Sequence, residues 1–406
     1  MEQPIRMLHF ADTHIGVENY GQLDPATGTS SRVRDFLDRL DEMIEYALGQ
    51  DVDLAVFAGD AFKNRSPKPT LQREFAHRIR RLSERMPVLL LVGNHDMPAM
   101  EAKASSLDIY DSLAVPNVVV GERPEGRIFE TKRGPVYLAW MPYPLRNRLL
   151  SQPEHEAKSI SELEVALRKA VAETLVLLAR QAAAYDMPRV LVGHLSVAEG
   201  TFGSEQSVML GRDVAVSSEQ LSDSVWDYIA LGHLHRHQQL GNENGPPIVY
   251  SGSLSRIDFG EEKEAKGFCM VELAKGAASW RFVPVAARPF RTIQIDLKAS
   301  QDPTRTALDA LETADCEGAV VRIILDINDS QIGILREREI AAALKAAQSV
   351  RVEKRITRAS RARLDGSPET WTPLELIKSY FKLQGVEPNK LADLLEKAKG
   401  LIRDSD

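Results

Sequence analysis

Residues 7–14 read Met7-Leu8-His9-Phe10-Ala11-Asp12-Thr13-His14, a short apolar run that ends in two polar side chains spaced i, i+2. The apolar part predicts a buried strand. In extended backbone, residues i and i+2 point the same way, so Asp12 and His14 can both reach one metal ion. Taken alone, an Asp-x-His after a strand is more often a turn. Here the event recurs. Leu54–Ala58 ends in Gly59-Asp60, and Val88–Val92 ends in Gly93-Asn94-His95-Asp96. Arg189–Val192 precedes Gly193-His194, and Tyr228–Leu231 precedes Gly232-His233-Leu234-His235.

Helical patterns alternate with these runs. Val33, Phe36, Leu37, Leu40, Met43, Ile44 and Ala47 fall at helical spacing, with Ser30 or Ser31 as the cap and Gly49 as the stop. A basic helix is predicted over Thr70–Met86 and a long one from about Lys158 to Tyr185. Alternating strands and helices predict an α/β fold, and in open α/β sheets ligands bind outside the carboxyl ends of the strands. Five such ends each carry a potential ligand, so Asp12, His14, Asp60, Asn94, His194, His233 and His235 are expected to converge as a metal site. Asp60 has two oxygens and can bridge two cations. Carboxylate, imidazole and amide donors suit Mn(II), Fe(II) or Zn(II), and a set without cysteine argues against a structural zinc. The remaining histidines are read as bystanders. His9 packs in or near the sheet, His77 lies on the basic helix, His155 lies in a polar stretch and His237 stands behind the ligands at most.

From Arg291 the texture changes. Strands are expected at Thr292–Leu297, Ala319–Ile327 and Val350–Ile356, and helices at Pro303–Ala314 and Ser330–Ala347, a small α+β module. A polar linker follows over 357–371. The tail, 372–406, opens with Thr372-Pro373-Leu374-Glu375, a capping box with proline at the first helical position. Leu374, Ile377 and Phe381 form one apolar stripe and Leu391, Leu394, Leu395, Ala398 and Ile402 another, separated by Gly385. Two short amphipathic helices need something to cover them, either their own domain or a partner.

With 406 residues, 43% of them hydrophobic and 27% charged, the composition is that of a soluble globular chain of two or three domains. No apolar run approaches the roughly 18 residues that span a bilayer, and the first residues carry no leader pattern. Two distant cysteines, Cys269 and Cys316, exclude a disulfide framework and fit a reducing cytoplasm. The net charge of −7 is not that of a protein held to nucleic acid by diffuse positive charge, so local patches must supply any such attraction. Candidate patches are Arg78, Arg80, Arg81 and Arg85, and the run Arg351, Lys354, Arg355, Arg358, Arg361 and Arg363.

The constellation resembles the calcineurin-like metallophosphoesterase superfamily. Within it the chain resembles the SbcD type, the nuclease components of double-strand-break repair complexes. The narrower likeness is carried by Leu8–Gly16, Gly59-Asp60-Ala61-Phe62 with Ser66-Pro67, Gly193–Val197, Ala230–His235, Tyr250-Ser251-Gly252-Ser253 and Lys266-Gly267-Phe268. It covers residues 5 to about 285 strongly, and the module and tail match the layout. The resemblance implies a β-sandwich flanked by helices over 1–285, a small α+β capping domain over 286–356 and a C-terminal helical tail.

The resemblance also implies that Asp12, His14, Asp60 and His235 hold one metal and that Asp60, Asn94, His194 and His233 hold a second. His95 would be the catalytic histidine, oriented by Asp96. Several relatives carry histidine where this chain has Lys63. Lysine can bind phosphate but cannot shuttle protons near neutral pH, so Lys63 joins Arg78, Arg81, Arg355 and Arg358 as a candidate DNA contact. The function implied is a Mn(II)-dependent DNA exonuclease and endonuclease in the cytoplasm, at the nucleoid. It would act as a homodimer, with helices around Arg73–Met86 and Glu101–Leu113 as contributors. The tail would dock on an SMC-like ATPase of the SbcC type. The alternatives are a phosphodiesterase for a small phosphorylated substrate, which has no need of the module and tail, and a scaffold without catalysis, against which the complete ligand set argues.

Overall fold

The computed structural model describes residues 3–98, 103–144, 160–203, 214–241, 245–357, 371–383 and 388–403. In chain order the elements begin β1 (Ile5–Phe10), α1 (Ser31–Gly49), β2 (Leu54–Phe57), α2 (Pro69–Ser83), β3 (Val88–Leu91), α3 (Asp108–Ser112), β4 (Val118–Gly121), β5 (Glu125–Thr131), β6 (Gly134–Met141) and α4 (Ile160–Ala182). They continue with β7 (Arg189–His194), β8 (Ser196–Val197), β9 (Ala215–Val216), α5 (Ser218–Leu221), β10 (Tyr228–Gly232), β11 (Gln238–Leu240), β12 (Ile248–Tyr250), β13 (Gly267–Ala274) and β14 (Ala277–Pro284).

Among the described residues these strands build two six-stranded sheets, ordered β14-β13-β1-β2-β3-β4 and β11-β12-β10-β7-β6-β5. β1, β2, β3 and β4 run parallel, as do β6, β7, β10 and β12. Because side chains alternate across a strand, each central strand serves two layers. Met7, Val56, Leu89, Val192 and Ala230 join Trp140 and Val249 in the layer between the sheets. Leu8, Phe57 and Leu90 face outward onto Leu37, Leu40, Phe75 and Ile79 of α1 and α2. Leu191 and Ile229 face Leu167, Val171, Leu175 and Leu178 of α4. Strands buried on both sides read as continuous apolar runs, which is why the pattern is visible in sequence.

Local signals set the helix ends. The Ser30 side chain accepts from Arg32 N at the start of α1, and Pro69 opens α2. Gly49 lies inside α1, which stops one residue later at Gln50, followed by Asp51 with φ 53°.

The chain divides into two compact units. The first is Met1–Arg291 with Cys316–Val321 and Ala346–Val350, and the second is Thr292–Asp315, Arg322–Lys345 and Arg351–Asp406. The second is built on β15 (Phe290–Asp296), α6 (Pro303–Leu311), β16 (Val320–Asn328), α7 (Glu337–Ala343) and β17 (Ser349–Thr357), with the sheet order β15-β16-β17. The helix expected over Ser330–Ala347 is shorter. A 3-10 turn occupies Asp329–Gln331, and α7 begins only at Glu337. Ile332 and Ile334, between the turn and α7, are exposed. The tail forms α8 (Pro373–Leu383) and α9 (Pro388–Arg403), which pack on each other. The capping box is present, with Thr372 N donating to Glu375 Oε2 at 2.8 Å and Glu375 N to Thr372 Oγ1 at 3.4 Å. Gly385 and most of the 357–371 linker lie outside the described residues. No described helix is long and apolar enough to cross a membrane.

Candidate metal centre

The turns after β1 and β2 are zipped together. Asp12 N donates to Gly59 O at 2.9 Å, His14 N to Asp60 O at 3.1 Å and Ile15 N to Ala61 O at 2.9 Å. Asp12, His14, Asp60 and His233 all adopt left-handed backbone, with φ of 52°, 39°, 64° and 101°, which side chains with a Cβ rarely tolerate. Strain of this kind gathers where the surrounding structure must aim a side chain. The glycines that precede the site residues allow close approach. A Cβ on Gly59, itself at φ +100°, would stand 2.3 Å from His194 Nδ1, and one on Gly93 would stand 2.1 Å from Asp60 Oδ1.

The structure brings all seven sequence-predicted ligand residues together. His14 Nε2 lies 3.0 Å from His235 Nε2 and 3.7 Å from Asp60 Oδ2. On the other side, Asp60 Oδ2 lies 3.5 Å from His194 Nε2. Asn94 Oδ1 is 3.0 Å from His194 Nε2 and 3.1 Å from His233 Nδ1. Asp12 accepts from His233 N at 3.0 Å. Ligand atoms of Asp12, His14 and His235, of Asp12, Asp60 and His194, and of His14, Asp60 and His95 lie within 4.8 Å of one another. Asp60 thus stands between a His14–His235 side and an Asn94–His194–His233 side.

These residues fit divalent cations. The 3.0 Å between two imidazole nitrogens matches two ligands each about 2.1 Å from a shared cation, at roughly a right angle. Backbone groups also fix which nitrogen faces inward. His194 Nδ1–H donates to Ala58 O at 2.7 Å, and His95 Nδ1–H to Lys63 O at 2.7 Å, leaving each Nε2 for the site.

The electrostatics are those of a cation site. Burial, with His235 alongside, holds His14 well below its ordinary value. Burial would raise Asp60, but His194, His95 and His14 hold its carboxylate well below the usual range. Burial opposes charge on His194 as well, yet the Asp60 and Asp12 carboxylates push it up to about 9. Burial raises Asp12.

Asp96 is placed differently from its expected role. Rather than meeting the His95 ring, its carboxylate accepts from the backbone N–H of Asp60 at 2.9 Å, Ala61 at 3.0 Å and Gly93 at 3.1 Å, and from Ser106 Oγ at 3.2 Å. Burial and the nearby Asp60 carboxylate push it up to about 7. It builds the turns that carry Asp60 and Asn94, and the Lys63 carbonyl holds His95.

The basic candidates separate. Lys63 is partly exposed, with Nζ 3.5 Å from Asn19 Oδ1. Arg78 pairs with Asp41 and Glu74, and Arg81 with Asp41 at 2.7 Å and Glu45 at 3.8 Å. These pairs tie α2 to α1, and a guanidinium already matched by carboxylates has little to offer a phosphate. Arg355 is exposed on β17, while its neighbours Arg351 and Lys354 pair with Glu353 and Glu337. Arg358 lies outside the described residues, as do Arg361, Arg363 and His155.

Of the other histidines, His9 is buried between Tyr228 OH and Leu231 O, and His237 stacks on Phe282. Sequence reasoning missed several neighbours. Arg65 Nε lies 3.4 Å from Asn94 O. Tyr143 has its ring 5.5 Å from that of His233. Buried Glu261 meets His235 Nδ1 at 2.8 Å.

A cluster of carboxylate and imidazole side chains at the carboxyl ends of parallel strands, between two mixed sheets, defines a metal-dependent phosphoesterase. The chain belongs to the calcineurin-like phosphoesterase family, whose pattern matches residues 5–237. It is similar to the SbcD component of the nuclease SbcCD from Bacillus subtilis (strain 168), 29% identical over 289 residues, 69% of each chain. It is similar in the same way to the SbcD component of the nuclease SbcCD from Rhodobacter capsulatus, 29% identical over 375 residues, 84% of each chain. It is also similar to the DNA double-strand break repair protein Mre11 of Archaeoglobus fulgidus, 24% identical over 396 residues, 92% of this chain and 79% of the relative.

Proposed function

We propose that this protein is a metal-dependent DNA nuclease of the SbcCD type, hydrolysing phosphodiester bonds as an exonuclease and endonuclease. The observation that carries the reading is the convergence of six carboxylate, imidazole and amide side chains on two sides of a seventh, Asp60. Relatives named as nucleases and double-strand-break repair proteins over most of the chain support DNA as the substrate.

Asp12, His14, His235 and Asp60 would hold one cation, and Asp60, Asn94, His194 and His233 the other. Bound there, divalent cations acidify water and neutralise charge that develops on a phosphate during in-line displacement. Mn(II) suits the mixed donor set. His95, tied through Nδ1 to the Lys63 carbonyl, offers Nε2 to exchange a proton with the leaving oxygen. Lys63 and Arg65 lie beside the site and would meet the phosphate backbone, and Arg355, exposed in the second unit, is a separate candidate for DNA contact.

The tail helices α8 and α9 would dock on an SMC-like ATPase of the SbcC type, their apolar stripes meeting the partner. A homodimer would form through α2 and α3. Ile109 and Leu113 are 54% and 70% exposed and line an apolar groove of about 340 Å³ with Phe62, Ala76, Tyr110 and Val115, a surface that a second copy would cover. The working compartment would be the cytoplasm, at the nucleoid.

The test is incubation with Mn(II), with and without chelator, on labelled duplex DNA, single-stranded DNA and a small phosphodiester. Metal-dependent shortening of DNA supports the reading. Turnover of the small diester alone, unchanged when an SbcC-type ATPase is added, would replace it with a small-substrate phosphodiesterase.

A further inference from the structure

Glu261 lies in a 3-10 turn, Phe259–Glu261, inside a run of charged residues. Gly260 and Lys263 are exposed and Glu262 partly so, yet Glu261 is 0% exposed. A buried carboxylate persists only when its oxygens are matched, and here the two oxygens do different work. Oε1 lies 2.8 Å from His235 Nδ1. Oε2 receives the Lys266 ammonium at 2.9 Å and the backbone N–H of Ile257 at 3.0 Å. Lys266, also 0% exposed in its side chain, is held in turn by Ser253 Oγ at 2.9 Å, His235 O at 3.2 Å and Glu264 Oε2 at 2.8 Å.

This division has a consequence for His235. An ionised carboxylate can only accept, so Nδ1 of His235 must carry the proton, and the opposite nitrogen presents its lone pair. That nitrogen, Nε2, is the one 3.0 Å from His14 Nε2.

We propose that Glu261 is a positioning residue that fixes the tautomer and ring orientation of His235 for metal binding, and that Lys266 and Ile257 N, by claiming Oε2, keep Oε1 aimed at His235. The proposal rests on the reading of His235 as a metal ligand. Partners of this kind typically contribute 10- to 100-fold to metal affinity.

The arrangement makes an isosteric variant informative. In Glu261→Gln the amide oxygen must take the Oε2 position, because two donors face it. The NH2 group is then turned toward His235 Nδ1, where it donates, and the imidazole proton moves to Nε2. The variant keeps size and shape while reversing the tautomer. Glu261→Asp keeps the charge for Lys266 but withdraws the acceptor by one methylene.

The full-length protein is titrated with Mn(II) alone by calorimetry. In parallel, a long-range 1H–15N spectrum of histidine-labelled, chelator-treated protein at pH 8 reads the His235 tautomer, and thermal unfolding checks the fold. The wild type is expected to show the Nδ1–H form. Glu261→Gln is expected to show the Nε2–H form with Mn(II) affinity lowered roughly 10- to 100-fold and the fold intact, and Glu261→Asp is expected to lose affinity as well. If Glu261→Gln fails to fold, Glu261→Asp carries the same test. A wild-type tautomer and wild-type Mn(II) affinity in the folded variants overturns the proposal. A wild type that binds no Mn(II) overturns instead the ligand reading beneath it.

Discussion

The Nδ1 of His95 lies 2.7 Å from the backbone carbonyl of Lys63. The contact belongs to the main chain, so it does not depend on which side chain stands at position 63. Lys63 therefore leaves the hold on His95 to its own backbone and adds a cation beside it. Lys63→Ala should lower DNA affinity and reduce the slope of log affinity against log salt by about one. Binding measured between low and moderate salt checks this, and an unchanged slope removes Lys63 from the interface.

His95→Asn should keep metal and lose activity. The substitution removes the proton-exchanging Nε2 while leaving the His95 backbone N–H on Asp60 Oδ1, 2.8 Å away. A general acid or base contributes about 10²–10⁴-fold, and a loss of that size is expected at wild-type Mn(II) content. Full activity would reject the role.

Metal affinity should rise with pH. His194 is raised to about 9, so in metal-stripped protein it holds a proton at neutral pH that a cation must displace. Below that value each unit of pH costs up to about tenfold in affinity, the cost fading as pH rises through 9. Mn(II) titrations between pH 6.5 and 8.5, repeated in buffers of different ionisation enthalpy, should show tightening and proton release. A flat affinity would show that no proton competes.

Asp96→Ala should destabilise the fold. It strands the buried N–H groups of Asp60, Ala61 and Gly93, and each lost partner costs about 1–3 kcal/mol. A loss on the order of 3 kcal/mol or more is expected in urea unfolding. A loss under about 1 kcal/mol would show that water replaces the carboxylate.

Leu113→Asp should convert a dimer to a monomer in sedimentation velocity, since it places a charge on the exposed apolar face of α3 and the adjoining segment. A wild type that sediments as a monomer at micromolar concentration would set that surface aside.

The two sheets and the convergence of these polar side chains were legible because of where they fall in the chain. Leu54–Phe57 and Val88–Leu91 are buried on both faces, so they read as unbroken apolar runs, and the glycines before Asp60, Asn94, His194 and His233 mark where the backbone must pass close to a neighbour. What sequence could not supply is the partner of each polar group. Asp96 follows His95 and invites pairing with it, but the turn sends its carboxylate back to three amides. Arg78 and Arg81 read as a basic face until Asp41, some forty residues earlier, is brought across by α1. Glu261 sits among Glu262, Glu264 and Lys263, and only burial separates it from them.

In the proposed function Asp60 serves two cations in one site that hydrolyses DNA. The most direct measurement of this pairs Mn(II) stoichiometry with degradation of labelled linear duplex DNA, for wild type and Asp60→Ala. The wild type is expected to bind two Mn(II) ions and to shorten DNA in a metal-dependent way, and Asp60→Ala to bind both ions poorly and to cleave nothing. Cleavage by Asp60→Ala at the wild-type rate, or two ions bound as tightly without that carboxylate, would contradict that role.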